Sequence, residues 1–152
     1  MKLALKVPPP LQALIVAILM WVVGRQLPGG QLDFTIQLPL AILFAISGIA
    51  VVASAMMKFL RASTTVDPFH PEEASHLVVD GIFRFSRNPM YLSLLLLLFG
   101  WTIWLGSIFN IALLAGFVWY ISTFQIKPEE EVLRSLFGEN YEHYCSSVRR
   151  WI

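Results

Sequence analysis

The sequence predicts an all-α, polytopic integral membrane protein of about four transmembrane helices, and three observations lead there. Hydrophobic residues make up 57% of the 152 and charged residues 14%, against roughly 25% charged in soluble domains. Mean hydropathy is +0.66. Charge is also missing from two long runs, the 24 residues between Asp33 and Lys58 and the 39 between Arg87 and Lys127. A soluble helix of such length needs a polar face, so both runs belong in lipid. A soluble globular enzyme, a secreted disulfide scaffold and a disordered tail are excluded.

The chain reads as one membrane domain over residues 1–152. Its first helix is expected at about 10–27, opening after Pro8-Pro9-Pro10 and broken by Pro28-Gly29-Gly30, since proline suits a first helical turn and stops an interior one. Lys2 and Lys6 precede it as in a signal peptide, but Val-Val-Gly-Arg-Gln offers no small-x-small cleavage site, so a retained span is expected. The second helix, about 36–59, carries Ala41, Ala45, Gly48, Ala50, Ala53 and Ser54, small residues that let helices approach closely in lipid. The 39-residue run is about twice one crossing. As a single helix it would extend ~58 Å at 1.5 Å per residue, while a bilayer core is ~30 Å thick. A hairpin follows, about 89–105 out and 108–126 back, turning near Gly106 and Ser107. This leaves a loop at 60–88 and a helical tail at 127–152.

With four spans, both termini and the loop share one side. Ten of the eleven Lys and Arg lie there and Arg25 alone lies opposite, so the positive-inside rule places the termini in the cytoplasm. The net charge of +1 and the lack of a basic stripe give no reason to expect nucleic acid. Cys145 is the single cysteine, and His70, His76 and His143 have no partner at metal-ligand spacing, so neither an internal disulfide nor a metal is expected.

The dense polar segments are two: Arg84-Phe-Ser-Arg-Asn-Pro-Met-Tyr91 and Lys127-Pro-Glu-Glu-Glu131. The hairpin starts at one and ends at the other, so Asn88 and Tyr91 should lie beside Glu129 and Glu130. Amide, phenol and carboxylate groups beside an apolar bundle suit an amphipathic ligand. Each element alone also has a plain structural reading. Proline followed by three acids resembles a helix N-terminus, Asn88-Pro89 a helix start, and Trp101, Trp104 and Trp119 packing or lipid-facing aromatics.

Taken in order, Leu77-Val-Val-Asp-Gly81, Arg87-Asn-Pro-Met-Tyr91, the apolar hairpin, Pro128-Glu-Glu130, Phe137-Gly-Glu-Asn-Tyr141-Glu-His-Tyr144 and Val148-Arg-Arg-Trp151 resemble the isoprenylcysteine carboxyl methyltransferase family. The likeness is to its short bacterial members and, more distantly, to phospholipid methyltransferases, and it covers about Val66 to the C-terminus. The resemblance implies an enzyme of a bacterial inner membrane that moves a methyl group from S-adenosyl-L-methionine to a lipophilic small molecule or a lipid. Carried over, the cofactor contacts are His76, Leu77, Val78, Phe83, Asn88, Pro89, Met90, Tyr91, Glu129 and Glu130, while Arg87 and Gln125 would steer the acceptor. Asn88 stands where eukaryotic members have histidine, Phe83 where tyrosine is usual, and Gln125 where an arginine is linked to the substrate carboxylate. The resemblance therefore leaves the acceptor open. A nicotinamide-dependent (NADPH) membrane reductase and a non-catalytic membrane subunit are the alternatives; the former would need a basic site for the extra phosphate, where the sequence has two glutamates.

Overall fold

A computed structural model describes residues 7–27, 30–31, 34–62 and 77–152. These residues are folded as helices: α1 (Pro9–Gln26), α2 (Gln37–Ala62), α3 (Pro89–Leu105), α4 (Asn110–Ile121) and α5 (Lys127–Ser147). A 3-10 turn, Gly81–Arg84, precedes α3, and a π-helical turn, Ser122–Ile126, joins α4 to α5. Two helices, Pro9–Gln26 and Gln37–Arg61, are long and apolar enough to cross a membrane, and α3 is a shorter apolar helix. Their outer faces expose Leu14, Ile18, Ile42, Ile46 and Ile49. Such surface is what hydrocarbon requires of a spanning helix, whose backbone polar groups are all paired internally.

The small residues of α2 set its closest contact. A Cβ at Gly48 would lie 2.9 Å from the Ser93 carbonyl oxygen, and one at Gly100 would lie 3.0 Å from that of Ala41. The backbones of α2 and α3 therefore meet with nothing between them, and Phe44 packs edge-on against Phe99, centroids 4.7 Å apart. On the other side of α3, Trp101 Nε1 donates to the Ala17 carbonyl of α1 at 3.0 Å, so this tryptophan packs inward. Trp104 and Trp119 are exposed.

The α3 to α4 turn is closed at Gly106, whose φ of 63° is left-handed. Its N–H bonds to the carbonyls of Thr102 and Ile103. Gln37 Nε2 reaches across from α2 to the carbonyls of Ile103, 2.7 Å, and Trp104, 3.1 Å. Together these satisfy acceptors that a helix C-terminus leaves open.

The returning arm differs from a plain helix ending before Pro128. After Ile121 the turn widens, and the Lys127 N–H bonds to the Ser122 carbonyl five residues back. Proline has no N–H and its ring presses on the carbonyl four residues earlier; the wide turn just ahead supplies the room. Ile126 and Lys127 both keep helical dihedrals. The polypeptide thus passes into α5 unbroken, and Pro128 with its three glutamates is not a free helix N-terminus. α5 itself bends at Gly138 (φ 50°, ψ −125°).

Two cores result. One, within the helical bundle, contains Ala13, Met20, Tyr91, Leu98, Leu114, Phe117, Ile121 and Ile126. The other contains Ala55, Phe83, Tyr141 and Tyr144, with Leu77, Val78, Met90 and Phe137 against it. Met90 belongs to one and Tyr91 to the other, so the first turn of α3 is the joint between them.

Candidate active site

At that joint the start of α3 meets the start of α5. Tyr91 is buried, and its hydroxyl donates to Glu129 Oε1. The next residue points elsewhere, as a rotation of about 100° per helical residue requires. Glu130, 4% exposed, accepts from Arg87 Nη2 at 3.0 Å and from Arg150 Nε and Nη2 at 3.0 and 2.7 Å. Two guanidiniums thus compensate one buried carboxylate, the arrangement that a charge removed from water needs. Glu129 has no ion-pair partner among the described residues. Desolvation pushes its carboxyl up to about 8, the nearby Glu130 adding to the rise and the Tyr91 hydrogen bond opposing it.

The C-terminal residues strap this arrangement shut. The Arg87 N–H donates to the Arg149 carbonyl at 3.1 Å. The Arg150 carbonyl accepts from Asn88 Nδ2 at 3.0 Å and from Ser86 Oγ at 3.4 Å. Trp151 Nε1 donates to Ser122 Oγ at 3.3 Å. Asn88 occupies the N-cap position of α3 without a side-chain capping bond; its amide is spent on the strap instead. Pro89 fills the first turn and is fully buried.

The remaining sequence-derived candidates fall around this joint, with exceptions. Phe83 is buried, edge-on to Phe59 with centroids 5.2 Å apart, and its carbonyl accepts from the Tyr144 hydroxyl at 2.6 Å. Leu77, Val78 and Met90 pack against the same core. Gln125 is buried one helical turn before Glu129. Arg87 is held by Glu130 and is not aimed at open space. His76 lies outside the described residues. Sequence reasoning assigned no role to Arg150, Trp151, Ser86 or Gln12. The signal available for the first two was an Arg-Arg-Trp ending downstream of an unbalanced run of three glutamates.

A cavity of about 360 Å³ lined by Phe34, Thr35, Gln37, Leu38 and Trp104 lies at the other end of α3, about 20 Å from Tyr91 at 1.5 Å per residue. It has no charged lining and no general base beside the Thr35 hydroxyl, so it is not where reaction chemistry would sit. A partly exposed carboxylate, unpaired by any described cation and facing a phenol, does fit a cationic, amphipathic cofactor. Ammonium or ribose hydroxyl groups would satisfy Glu129, and the Tyr91 ring suits a sulfonium.

Comparison with known proteins follows the same line. The phospholipid methyltransferase family profile matches residues 36–140, which takes in Arg87, Tyr91, Glu129 and Glu130 and leaves out α1 and the C-terminal strap. An uncharacterized protein of Haemophilus influenzae is 48% identical over 63 residues, 41% of this chain and 100% of that protein. The protein-S-isoprenylcysteine O-methyltransferase of Schizosaccharomyces pombe is 33% identical over 72 residues, 47% of this chain and 30% of its own length. A probable protein-S-isoprenylcysteine O-methyltransferase of Oryza sativa subsp. indica is 30% identical over 88 residues, 58% of this chain and 46% of its own. The chain thus spans less than half the length of these two methyltransferases. No solved structure matches. With its matched segment running from α2 into α5 and through the paired tyrosine and glutamates, the chain belongs to the phospholipid methyltransferase family and is isoprenylcysteine O-methyltransferase-like.

Proposed function

We propose that this protein transfers a methyl group from S-adenosylmethionine to a lipophilic acceptor at the cytosolic face of the membrane. The observation that carries the reading is Glu129, a half-buried carboxylate without a described cationic partner, hydrogen-bonded to Tyr91 beside an apolar bundle. When bound, the cofactor supplies an electrophilic methyl on a sulfonium that departs as a neutral thioether.

The chain's own residues bind, orient and exclude water. Glu129 holds the cofactor's ammonium or ribose hydroxyls by charge-assisted hydrogen bonds. Tyr91 presents its ring to positive charge, and Leu77, Val78, Phe83 and Met90 supply an apolar wall, with Asn88 and Pro89 fixing the helix start. In-line displacement asks mostly for alignment, which a joint locked from both sides provides. Glu130 serves as a positioning residue, since two guanidiniums hold it and a proton acceptor must be free. A carboxylate acceptor needs no base at pH 7, whereas an ammonium acceptor must lose a proton first. The acceptor enters sideways between helices. α3 and the 110–126 arm, each about 25 Å long at 1.5 Å per residue, complete four spans with both termini cytoplasmic in a bacterial inner membrane.

The test is tritiated-methyl transfer from the cofactor by purified protein supplied with extracted membrane lipids. Glu129→Ala and Tyr91→Ala are expected to weaken S-adenosylhomocysteine binding by about tenfold or more. Unchanged binding in both variants removes the assigned site, and binding of NADPH in place of S-adenosylhomocysteine restores the reductase reading.

A further inference from the structure

Among the described residues the most exposed large apolar side chains are Leu60 at 75%, Ile152 at 74% and Phe85 at 72%. Each has an exposed arginine within three residues: Arg61, Arg149 and Arg84. All three pairs lie at one end of the bundle. Lys58 pairs with Asp80, and Phe59 packs edge-on against Phe83, so the last turn of α2 lies beside the 3-10 turn that leads to Phe85. The backbone bond from Arg87 to Arg149 brings the C-terminal residues to the same edge. At 1.5 Å per residue Leu60 stands about 35 Å from Gln37, just beyond a hydrocarbon core of ~30 Å. In the proposed arrangement this edge therefore emerges among the head groups of the cytosolic leaflet.

Charge at this edge is not balanced. Glu130 compensates Arg87 and Arg150, but Arg84 and Arg149 have no ion-pair partner among the described residues. The two stand on opposite sides of the strap. Arg84 closely precedes Ser86, Arg87 and Asn88, which the strap holds, and Arg149 belongs to the strap itself. Like charges on the two halves of a closure oppose it. An anionic membrane surface would neutralise both and take the apolar side chains beneath its head groups. Free phosphate would supply the charge and offer nothing to Leu60, Phe85 and Ile152.

We propose that this edge is a docking surface for anionic phospholipids of the surrounding leaflet, with Arg84 and Arg149 on the phosphates, and that the lipid holds the strap closed. The lipid is an effector of the site and not the methyl acceptor. Because the strap ties Asn88, Arg87 and Glu130 together, membrane charge tightens the neighbouring cofactor site. That last consequence rests on the methyl-transfer reading; the docking surface itself does not.

The experiment places the full chain in phosphatidylcholine nanodiscs with and without phosphatidylglycerol. Two quantities are read at pH 7: the lipid retained on the protein after transfer to detergent, counted by native mass spectrometry, and the affinity for S-adenosylhomocysteine in the discs. Phosphatidylglycerol has no amine, thiol or carboxylate to methylate, and S-adenosylhomocysteine carries no net charge, so neither acceptor binding nor surface enrichment imitates the effect. The wild type should retain phosphatidylglycerol over phosphatidylcholine and bind S-adenosylhomocysteine about fivefold more tightly in the charged discs, a gain that shrinks as salt screens it. Arg84→Gln and Arg149→Gln, both at exposed positions, should each lose most of that gain and keep the affinity measured in phosphatidylcholine alone. Arg134→Gln removes an equal charge from α5, where Glu142 holds it at 2.7 Å, and should keep the gain. Absence of a retention preference overturns the proposal, and so does a gain lost equally in Arg134→Gln, which would make it an effect of overall charge. Equal S-adenosylhomocysteine affinity in the two discs overturns the effector role and leaves methyl transfer standing. Selective retention with no S-adenosylhomocysteine binding in either disc would sink methyl transfer and keep the docking surface.

Discussion

Glu129 and Glu130 are adjacent in sequence and opposite in circumstance. Glu130 is enclosed and compensated by Arg87 and Arg150, while Glu129 has a phenol for a partner and is displaced upward to about 8 because desolvation outweighs the Tyr91 hydrogen bond. The sign of the consequence follows from linkage. A carboxyl whose folded value lies above its ordinary one binds more protons folded than unfolded, so it contributes stability below the ordinary carboxylate range and loses it as pH rises toward 8. A bound cation reverses this by favouring the ionised form. Cofactor affinity should therefore increase by about tenfold per pH unit up to about 8 and then level off, with proton release on binding. Isothermal titration with S-adenosylhomocysteine from pH 6 to 9 in two buffers of different ionisation heat measures both. Glu129→Gln should bind weakly and without that slope; a slope that persists in this variant assigns the titration to another group.

At the scale of elements, α5 is two helices with a joint, and the joint is Gly138. Its φ of 50° and ψ of −125° are closed to residues with a Cβ, although a Cβ there would touch nothing within 4 Å. The bend turns Tyr141 and Tyr144 under the 3-10 turn, where the Tyr144 hydroxyl holds the Phe83 carbonyl. Gly138→Ala should cost about 2 kcal/mol from backbone strain alone and lower the melting temperature in detergent. Gly116, helical and equally uncrowded in α4, provides the control: Gly116→Ala should be neutral or stabilising by up to about 1 kcal/mol. Equal effects at both positions would mean that the bend is dispensable. This bend was not legible in the sequence, because glycine before Glu-Asn-Tyr reads as easily as a tolerated helix residue. The π-helical turn was hidden for a similar reason: Pro128 announces an interruption, and only the packing decides whether the helix stops or widens. The helix at 89–105 was legible, since Pro89 starts it, Gly106 ends it and the composition between allows nothing else. Which way its side chains face was not, for a helix apolar all round has no pattern to orient it. The strap escaped notice because its ties are mostly to backbone carbonyls, which every residue has.

At the scale of the whole molecule, the charge-free run of 39 residues does two things at once. It is too long for one crossing, so it folds back at Gly106, and by folding back it lays Tyr91 against Glu129. On the proposed four-span arrangement, placement in lipid and assembly of the candidate site have one cause, and the proposed orientation decides which compartment supplies the cofactor. The two ends of the bundle are chemically distinct. The Gly106 end is tied to Gly30 by backbone hydrogen bonding and among the described residues carries Arg25 as its one charge, while the Arg87, Glu130 and Arg150 cluster lies at the other. Cysteine labelling can read this directly, because Cys145 is the single native thiol and Cys145→Ser gives a blank background. In that background Gln26→Cys and Ile108→Cys, both at exposed positions, should react with a membrane-impermeant maleimide on intact cells. Glu131→Cys, exposed at the other end, should react only after permeabilisation. Labelling of Glu131→Cys from outside would put the site away from the cytosolic cofactor supply and invert the topology. Labelling of Gln26→Cys and Glu131→Cys from one side would mean an even number of crossings between them, against the three that separate them in a four-span chain; equal reactivity at the two positions therefore rejects the four-span arrangement whatever its orientation.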